Sequence, residues 1–122
     1  MEKVVLIVED DANSRKLIRD LLQVSGHTTL EATDGKQGVA LAKEKRPDLI
    51  LMDIQLPVMD GLEATRILKA DNETREIPIV ALTAYAMEGD EERMLQAGCD
   101  GYLPKPIDVQ EFLKKVSEYL VK

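Results

Sequence analysis

Short apolar runs alternate with helix-period segments from one end of this chain to the other, and few folds accept that alternation. The first run is Val4 to Val8. A stretch with Leu17, Ile18, Leu21, Leu22 and Val24 on one helical face follows and stops near Gly26. A weaker, partly polar strand spans Thr28 to Ala32, and the next helix runs from about Gly35 to Lys45. Arg46-Pro47 closes that helix before a strand from Asp48 to Asp53, because the residue before proline is pushed out of the helical region.

Gly61 opens a third helix carrying Leu62, Ala64, Ile67 and Leu68, and the polar stretch Asp71 to Glu76 leads into a strand from Ile77 to Leu82. A fourth helix is predicted from roughly Gly89 to Ala97, ended by Gly98 in the left-handed cap conformation. A short strand lies around Tyr102-Leu103. Asp108 and Glu111 have the spacing of a capping box for a last helix with Phe112, Leu113, Val116 and Leu120 at core-facing intervals.

This is the βαβ rhythm with right-handed crossovers. Continuous apolar runs mean strands covered on both faces, so the expected architecture is a five-stranded parallel sheet flanked by helices, with the polar second strand at an edge. At 122 residues the chain has room for one domain. With no internal repeat and no Gly/Ser-rich linker, residues 1–122 are read as a single domain without an output module.

Ligands of open α/β sheets bind beyond the carboxyl ends of the strands, where strand order reverses. Those ends carry Glu9-Asp10-Asp11, Asp53, Thr83-Ala84 and Lys105-Pro106. In the order 2-1-3-4-5 the first and third strands are neighbours, and Glu9, Asp10 and Asp53 converge. Three carboxylates so close repel one another and attract a hard cation with oxygen ligands, of which Mg2+ is the first choice. Mg2+ takes only one or two carboxylates and leaves Asp53 able to act as a nucleophile. Lys105, the Thr83 hydroxyl and the Ala84 backbone N–H can then serve a phosphoryl group, whose transfer needs mainly positioning and charge neutralisation. Each residue alone has a bland reading, Asp10 and Asp11 as helix caps and Lys105 as a surface lysine; their joint placement at strand ends carries the functional one.

The segments IVEDD, LILMDIQLPVMDG, IVALTAYA and GYLPKP resemble the receiver domain of bacterial response regulators, in order and spacing and over essentially the whole chain. The resemblance implies a flavodoxin-like (βα)5 fold and a two-component signalling function. It implies Asp53 as phospho-acceptor, Asp10 as a direct Mg2+ ligand, Glu9 as a ligand directly or through water, and the Gln55 backbone carbonyl as the last protein ligand. Lys105 would pair with the phosphoryl group, Asp11 would start the helix, and Thr83 and Tyr102 match the switch positions. Gln55 and Tyr85 match variable positions that influence phosphate loss, and the Lys105-Pro106 bond is one the family usually holds in cis. Such a protein is not a turnover enzyme; it catalyses only its own phosphoryl transfer and autodephosphorylation. Its implied partners are a histidine kinase or histidine phosphotransfer protein, and a target that reads the face of the fourth helix, fifth strand and fifth helix.

The formal charge of −7 argues against nucleic acid as a partner, since that affinity rests on clustered Lys and Arg. No export signal or membrane span is present, which makes the cytoplasm the expected compartment and Asn72-Glu73-Thr74 a polar surface loop. Cys99, the one cysteine, is read as a small buried side chain. His27 lacks a second histidine for a zinc site or triad and is read as structural or exposed. The run Glu88, Asp90, Glu91, Glu92 and Arg93 is a solvated helix start, with a partner contact as the other reading.

Two rivals come from other classes. A phosphatase of the haloacid dehalogenase type also uses an Asp nucleophile and Mg2+, but needs a second Asp two residues on, where this chain has Gln55. An FMN carrier of the flavodoxin kind needs a phosphate-binding loop after the first strand, and the acidic Glu9-Asp10-Asp11 turn would repel that phosphate. Within the receiver reading, relay to a phosphotransfer protein, allosteric control of a kinase and binding to a motor remain open. TAYAMEGDEE resembles single-domain cell-cycle regulators and hybrid-kinase receivers.

Overall fold

Side chains alternate across a strand, so a strand that is apolar at every position must bury both faces. Strand β1 (Val4–Val8) does so: Val5 and Ile7 enter one core layer, Leu6 and Val8 the other. Strand β3 (Leu49–Asp53) divides likewise, with Leu49 and Leu51 on one side and Ile50 and Met52 on the other. The computed structural model describes residues 3–84 and 90–120. The remaining strands are β2 (Thr28–Ala32), β4 (Ile79–Thr83) and β5 (Gly101–Pro104). All are parallel, in the order β2-β1-β3-β4-β5, with the polar β2 at an edge.

The helices are α1 (Ala12–Val24), α2 (Gly35–Lys45), α3 (Gly61–Ala70), α4 (Asp90–Ala97) and α5 (Val109–Leu120). Ile18 and Leu22 of α1 and Phe112, Val116 and Leu120 of α5 cover one face of the sheet. Residues of α2 and α3, with Met94 and Ala97 of α4, cover the other. Aspartate starts four of these helices. Asp11, Asp34, Asp60 and Asp108 accept from the N–H groups of Ser14, Gln37, Glu63 and Glu111 at 2.8, 2.7, 2.9 and 3.0 Å. Each cap occupies one of the donors that a helix start leaves unpaired.

Several sequence expectations shift. The third strand begins at Leu49, because Asp48 turns its carboxylate back to accept from Val4 N at 2.8 Å. The fourth begins at Ile79, since Pro78 has no N–H to give the ladder. On α1, Leu17 is 40% and Val24 89% exposed. At about 100° per residue both lie well round the helix from Ile18 and Leu22, on the flank of the buried stripe. Thr74 is no surface residue: it is buried, and its hydroxyl donates to Leu68 O at 2.7 Å at the end of α3. Gly98 takes φ +105°, as its cap position requires. Cys99 is buried, and His27 is half-buried with Nδ1 enclosed and without a hydrogen-bond partner. Glu88 and Gly89, expected at the start of α4, lie outside the described residues; Glu91, Glu92 and Arg93, within them, are exposed. Among the described residues no helix is long and apolar enough to cross a membrane.

Candidate functional site

The order reversal between β1 and β3 places the ends of two adjacent parallel strands side by side. Glu9 and Asp10 follow β1, and Asp53 ends β3. Carboxylate oxygens of the three lie within 4.8 Å of one another. Glu9 is fully buried, Asp53 nearly so and Asp10 exposed, so the cluster opens to solvent at Asp10.

Lys105 follows β5 and reaches across the sheet edge. Its Nζ lies 2.9 Å from Asp53 Oδ2 and also bonds Glu9 Oε1. The Lys105-Pro106 bond is cis, and Lys105 N donates to Thr83 O at 2.8 Å. The other Asp53 oxygen, Oδ1, accepts from Gln55 N at 3.0 Å, while Glu9 Oε2 accepts from Asp11 N at 3.2 Å.

Burial, reinforced by the hydrogen-bonding neighbour Asp53, pushes the Glu9 carboxyl up to about 7 against the opposing pull of Lys105. Burial alone would lower the Lys105 ammonium, but its bonds to Glu9 and Asp53 outweigh that and raise it. Glu9 and Asp53 therefore share one ammonium, with Asp10 beside them, a balance that a divalent cation can take over. Oxygen donors of this kind suit a hard cation, Mg2+ or Ca2+.

The β3–α3 connection is held tightly against this cluster. Gly61 N donates to Ile54 O at 2.8 Å, and a Cβ on Gly61 would lie 2.0 Å from Asp53 O. Only a residue without a side chain lets α3 start so close beneath Asp53.

Thr83 is buried at the end of β4, with Ala84 exposed beyond it. Thr83 and Gln55 line a cleft of about 510 Å3 together with Leu62, Met94, Asp90 and Arg93. Tyr102 stands opposite Ala81 in the ladder and packs, half-buried, against the cluster of Leu62, Met94, Ala97 and Cys99. Glu9, Asp10, Asp53, Lys105 and the Gln55 amide thus come together, Thr83 borders them, and Tyr102 sits one strand further out. Tyr85 lies outside the described residues.

Sequence reading missed Arg15. Its Nη1 donates to Glu9 O at 2.9 Å while Nε donates to Glu31 Oε1 at 3.1 Å. The available signal was Glu31, an acid inside the otherwise uncharged edge strand β2.

This geometry meets its counterpart in known proteins. Residues 5–117 match the family described as the response regulator receiver domain. The chain belongs to that family and is a response regulator of two-component signalling. It is 52% identical over 120 residues to the polar-differentiation response regulator DivK of Brucella anthropi, and equally to that of Brucella abortus, with 98% of each chain covered. The receiver domain of the sensor histidine kinase PA1611 from Pseudomonas aeruginosa, solved with a magnesium ion in its active-site cleft, superposes with a TM-score of 0.92 at 38% identity over the whole of both chains. Vibrio cholerae CheY4 superposes with a TM-score of 0.92 at 28% identity, covering 98% of this chain and all of its own. The fold is the flavodoxin-like one shared with such chemotaxis proteins. Receivers of this family work with histidine kinases and downstream targets, and nothing in the comparisons supports a phosphatase.

Proposed function

We propose that Asp53 accepts a phosphoryl group from a phosphohistidine, and that the protein signals through the contacts this change alters. The observation that carries the reading is the buried Asp53 carboxylate, paired with Lys105 at 2.9 Å beside Glu9 and Asp10. In the transfer, an Asp53 oxygen forms the new P–O bond as the P–N bond breaks, and the electron pair leaves with the imidazole of the donor. Lys105 follows the charge onto the phosphoryl oxygens, and the Thr83 hydroxyl and Ala84 N–H supply further donors. Mg2+, when bound, neutralises the charge gathered there. Asp10, Asp53 and the Gln55 backbone carbonyl would hold it, with Glu9 acting directly or through water, as the oxygen-only donor set permits. Later attack of water on the acyl phosphate, at the same donors, returns the carboxylate.

A dianion on Asp53 favours the arrangement in which Thr83 turns toward it, and Tyr102 follows into the space beside α4. The target reads the α4–β5–α5 face. The receiver acts in the cytoplasm, through proteins and not nucleic acid. The DivK relatives, named for polar differentiation, support a role in that process, with relay to a phosphotransfer protein, allosteric control of a kinase and binding to a motor as the three routes. Titrating 15N-labelled protein with Mg2+ and beryllofluoride, a phosphoryl mimic, tests the switch. Amide shifts at Asp53, Thr83, Ala84 and Tyr102 are expected; shifts confined to Asp53 would remove the switch. Capture of partners from extract with and without beryllofluoride separates the roles, by enriching a histidine kinase, a phosphotransfer protein or a motor component.

A further inference from the structure

The turn after β1 must hold Glu9 and Asp10 toward Asp53 against their mutual repulsion, and it is gripped from its outer side by one guanidinium. Arg15 Nη1 donates to Glu9 O at 2.9 Å and lies 3.5 Å from Asp10 O. Its Nε donates to Glu31 Oε1 at 3.1 Å. Glu31 is itself fixed by Arg19, whose Nη1 lies 3.3 Å from both its carboxylate oxygens. Glu9 N donates to Ala32 O at 3.0 Å, so β2 holds the same turn by its backbone as well.

Fixing successive peptide groups fixes where the side chains between them leave the backbone. A guanidinium suits this task because its planar fork makes two bonds in set directions, which an ammonium on a flexible stem does not. Arg15 is mostly covered, with 20% of its side chain exposed, so the bonds to the turn and to Glu31 compete little with water.

We propose that Arg15 is a positioning residue: by tying the Glu9 and Asp10 carbonyls to Glu31, it holds the acidic turn in the geometry that binds Mg2+. The inference rests on the assignment of Glu9, Asp10 and Asp53 as the metal site. It makes a prediction opposite in sign to plain electrostatics. Removing a positive charge near three carboxylates would tighten binding of a dication, whereas releasing the turn weakens it.

Calorimetric titration of the full chain with MgCl2 decides between the two, comparing native protein with Arg15→Gln, Arg15→Lys and Glu31→Gln. Arg15→Gln is expected to weaken Mg2+ binding about 10-fold, the scale of losses when a partner of a metal ligand is removed. Arg15→Lys should recover part of that, and Glu31→Gln should weaken binding less but in the same direction. Hydrogen exchange of the metal-free proteins supplies a readout that a general stabilising role would not move: faster exchange at the Asp10 and Asp11 amides, with β3 and β4 unchanged. If Arg15→Gln does not fold, Arg15→Lys carries the test, because it keeps every charge in place and removes only the planar fork, so weaker Mg2+ binding in it cannot come from plain electrostatics. Unchanged or tighter Mg2+ binding in the folded variants overturns the proposal, as does a native chain that binds no Mg2+. Phosphorylation of the native chain by acetyl phosphate is read separately. Its failure, with the Mg2+ differences intact, would sink the phospho-acceptor reading and leave Arg15 in its role.

Discussion

Lys105, beyond the end of β5, and Asp53, at the end of β3, form an ion pair of 2.9 Å across the carboxyl edge of the sheet. The same ammonium also bonds the fully buried Glu9. Lys105 thus supplies a positive charge to both of these buried carboxylates.

One consequence is competition. Mg2+ has to displace Lys105 from Glu9 or Asp53, so Lys105→Met should tighten Mg2+ binding by roughly 10-fold, the effect of removing one nearby positive charge worth ~1.4 kcal/mol. The same variant should slow phosphorylation at saturating Mg2+, because the phosphoryl oxygens lose a donor. Calorimetry and a phosphorylation time course measure the two effects. Weaker Mg2+ binding would mean that Lys105 organises the site and does not compete for it.

The pH dependence has a definite sign. The Glu9 carboxyl moves up to about 7 from an ordinary 4.5, chiefly through burial. Between those values the folded chain keeps a proton that the unfolded chain has released. The stabilisation from Glu9 is therefore full below pH 4.5 and is lost as the pH rises through about 7. Lys105, raised above 10.5, stays charged throughout this window. Metal-free melting temperature should fall across it, and Glu9→Gln should flatten the fall. Mg2+ binding runs the other way, strengthening as pH rises and releasing protons, which calorimetry in buffers of different ionisation enthalpy detects.

Gly61 lies so close beneath Asp53 that a methyl group has nowhere to go. The Cβ of Gly61→Ala would stand 2.0 Å from Asp53 O and 2.8 Å from Ile54 Cα, both backbone atoms. Destabilisation of about 3 kcal/mol or more is expected from such overpacking, with Asp53 displaced. Urea denaturation measures the first. A change under about 1 kcal/mol would mean that the β3–α3 connection yields easily.

The tip of that connection is strained. Val58 has φ +69°, and Met59 N donates to Pro57 O at 2.7 Å across it, a γ-turn of the unfavourable hand. Its side chain is 78% exposed and packs little. Val58→Gly should stabilise the chain by up to about 1 kcal/mol, since the left-handed region costs valine more than glycine's extra backbone entropy. A lower urea midpoint for the variant would mean that the Val58 side chain contributes packing.

How far the sequence revealed these features depended on the kind of force involved. The apolar runs at Val4–Val8, Leu49–Met52 and Ile79–Leu82 reported their own double burial, and Asp11 and Asp108 reported their own caps, whereas the caps at Asp34 and Asp60 went unread. Glu9, Asp10, Asp53 and Lys105 were legible because topology brings strand ends together without any knowledge of side-chain geometry. What remained hidden were pairings between distant polar groups. Lys69 bonds Asp100 and the Ile77 carbonyl, and Arg15 grips Glu9 and Glu31. Neither leaves a periodic trace. Thr74 read as surface because polarity alone does not reveal a hydroxyl spent on a helix carbonyl. Leu17 and Val24 read as core because apolar character does not separate a stripe's centre from its flank.

The central claim is that Asp53 takes the phosphoryl group, and intact-mass measurement after incubation with acetyl phosphate and Mg2+ tests it most directly. The native chain should gain one phosphoryl group, only with Mg2+ present, and lose it to hydroxylamine; Asp53→Asn should gain none. An adduct of the same yield on Asp53→Asn, or none on the native chain at any Mg2+ concentration, would contradict the account.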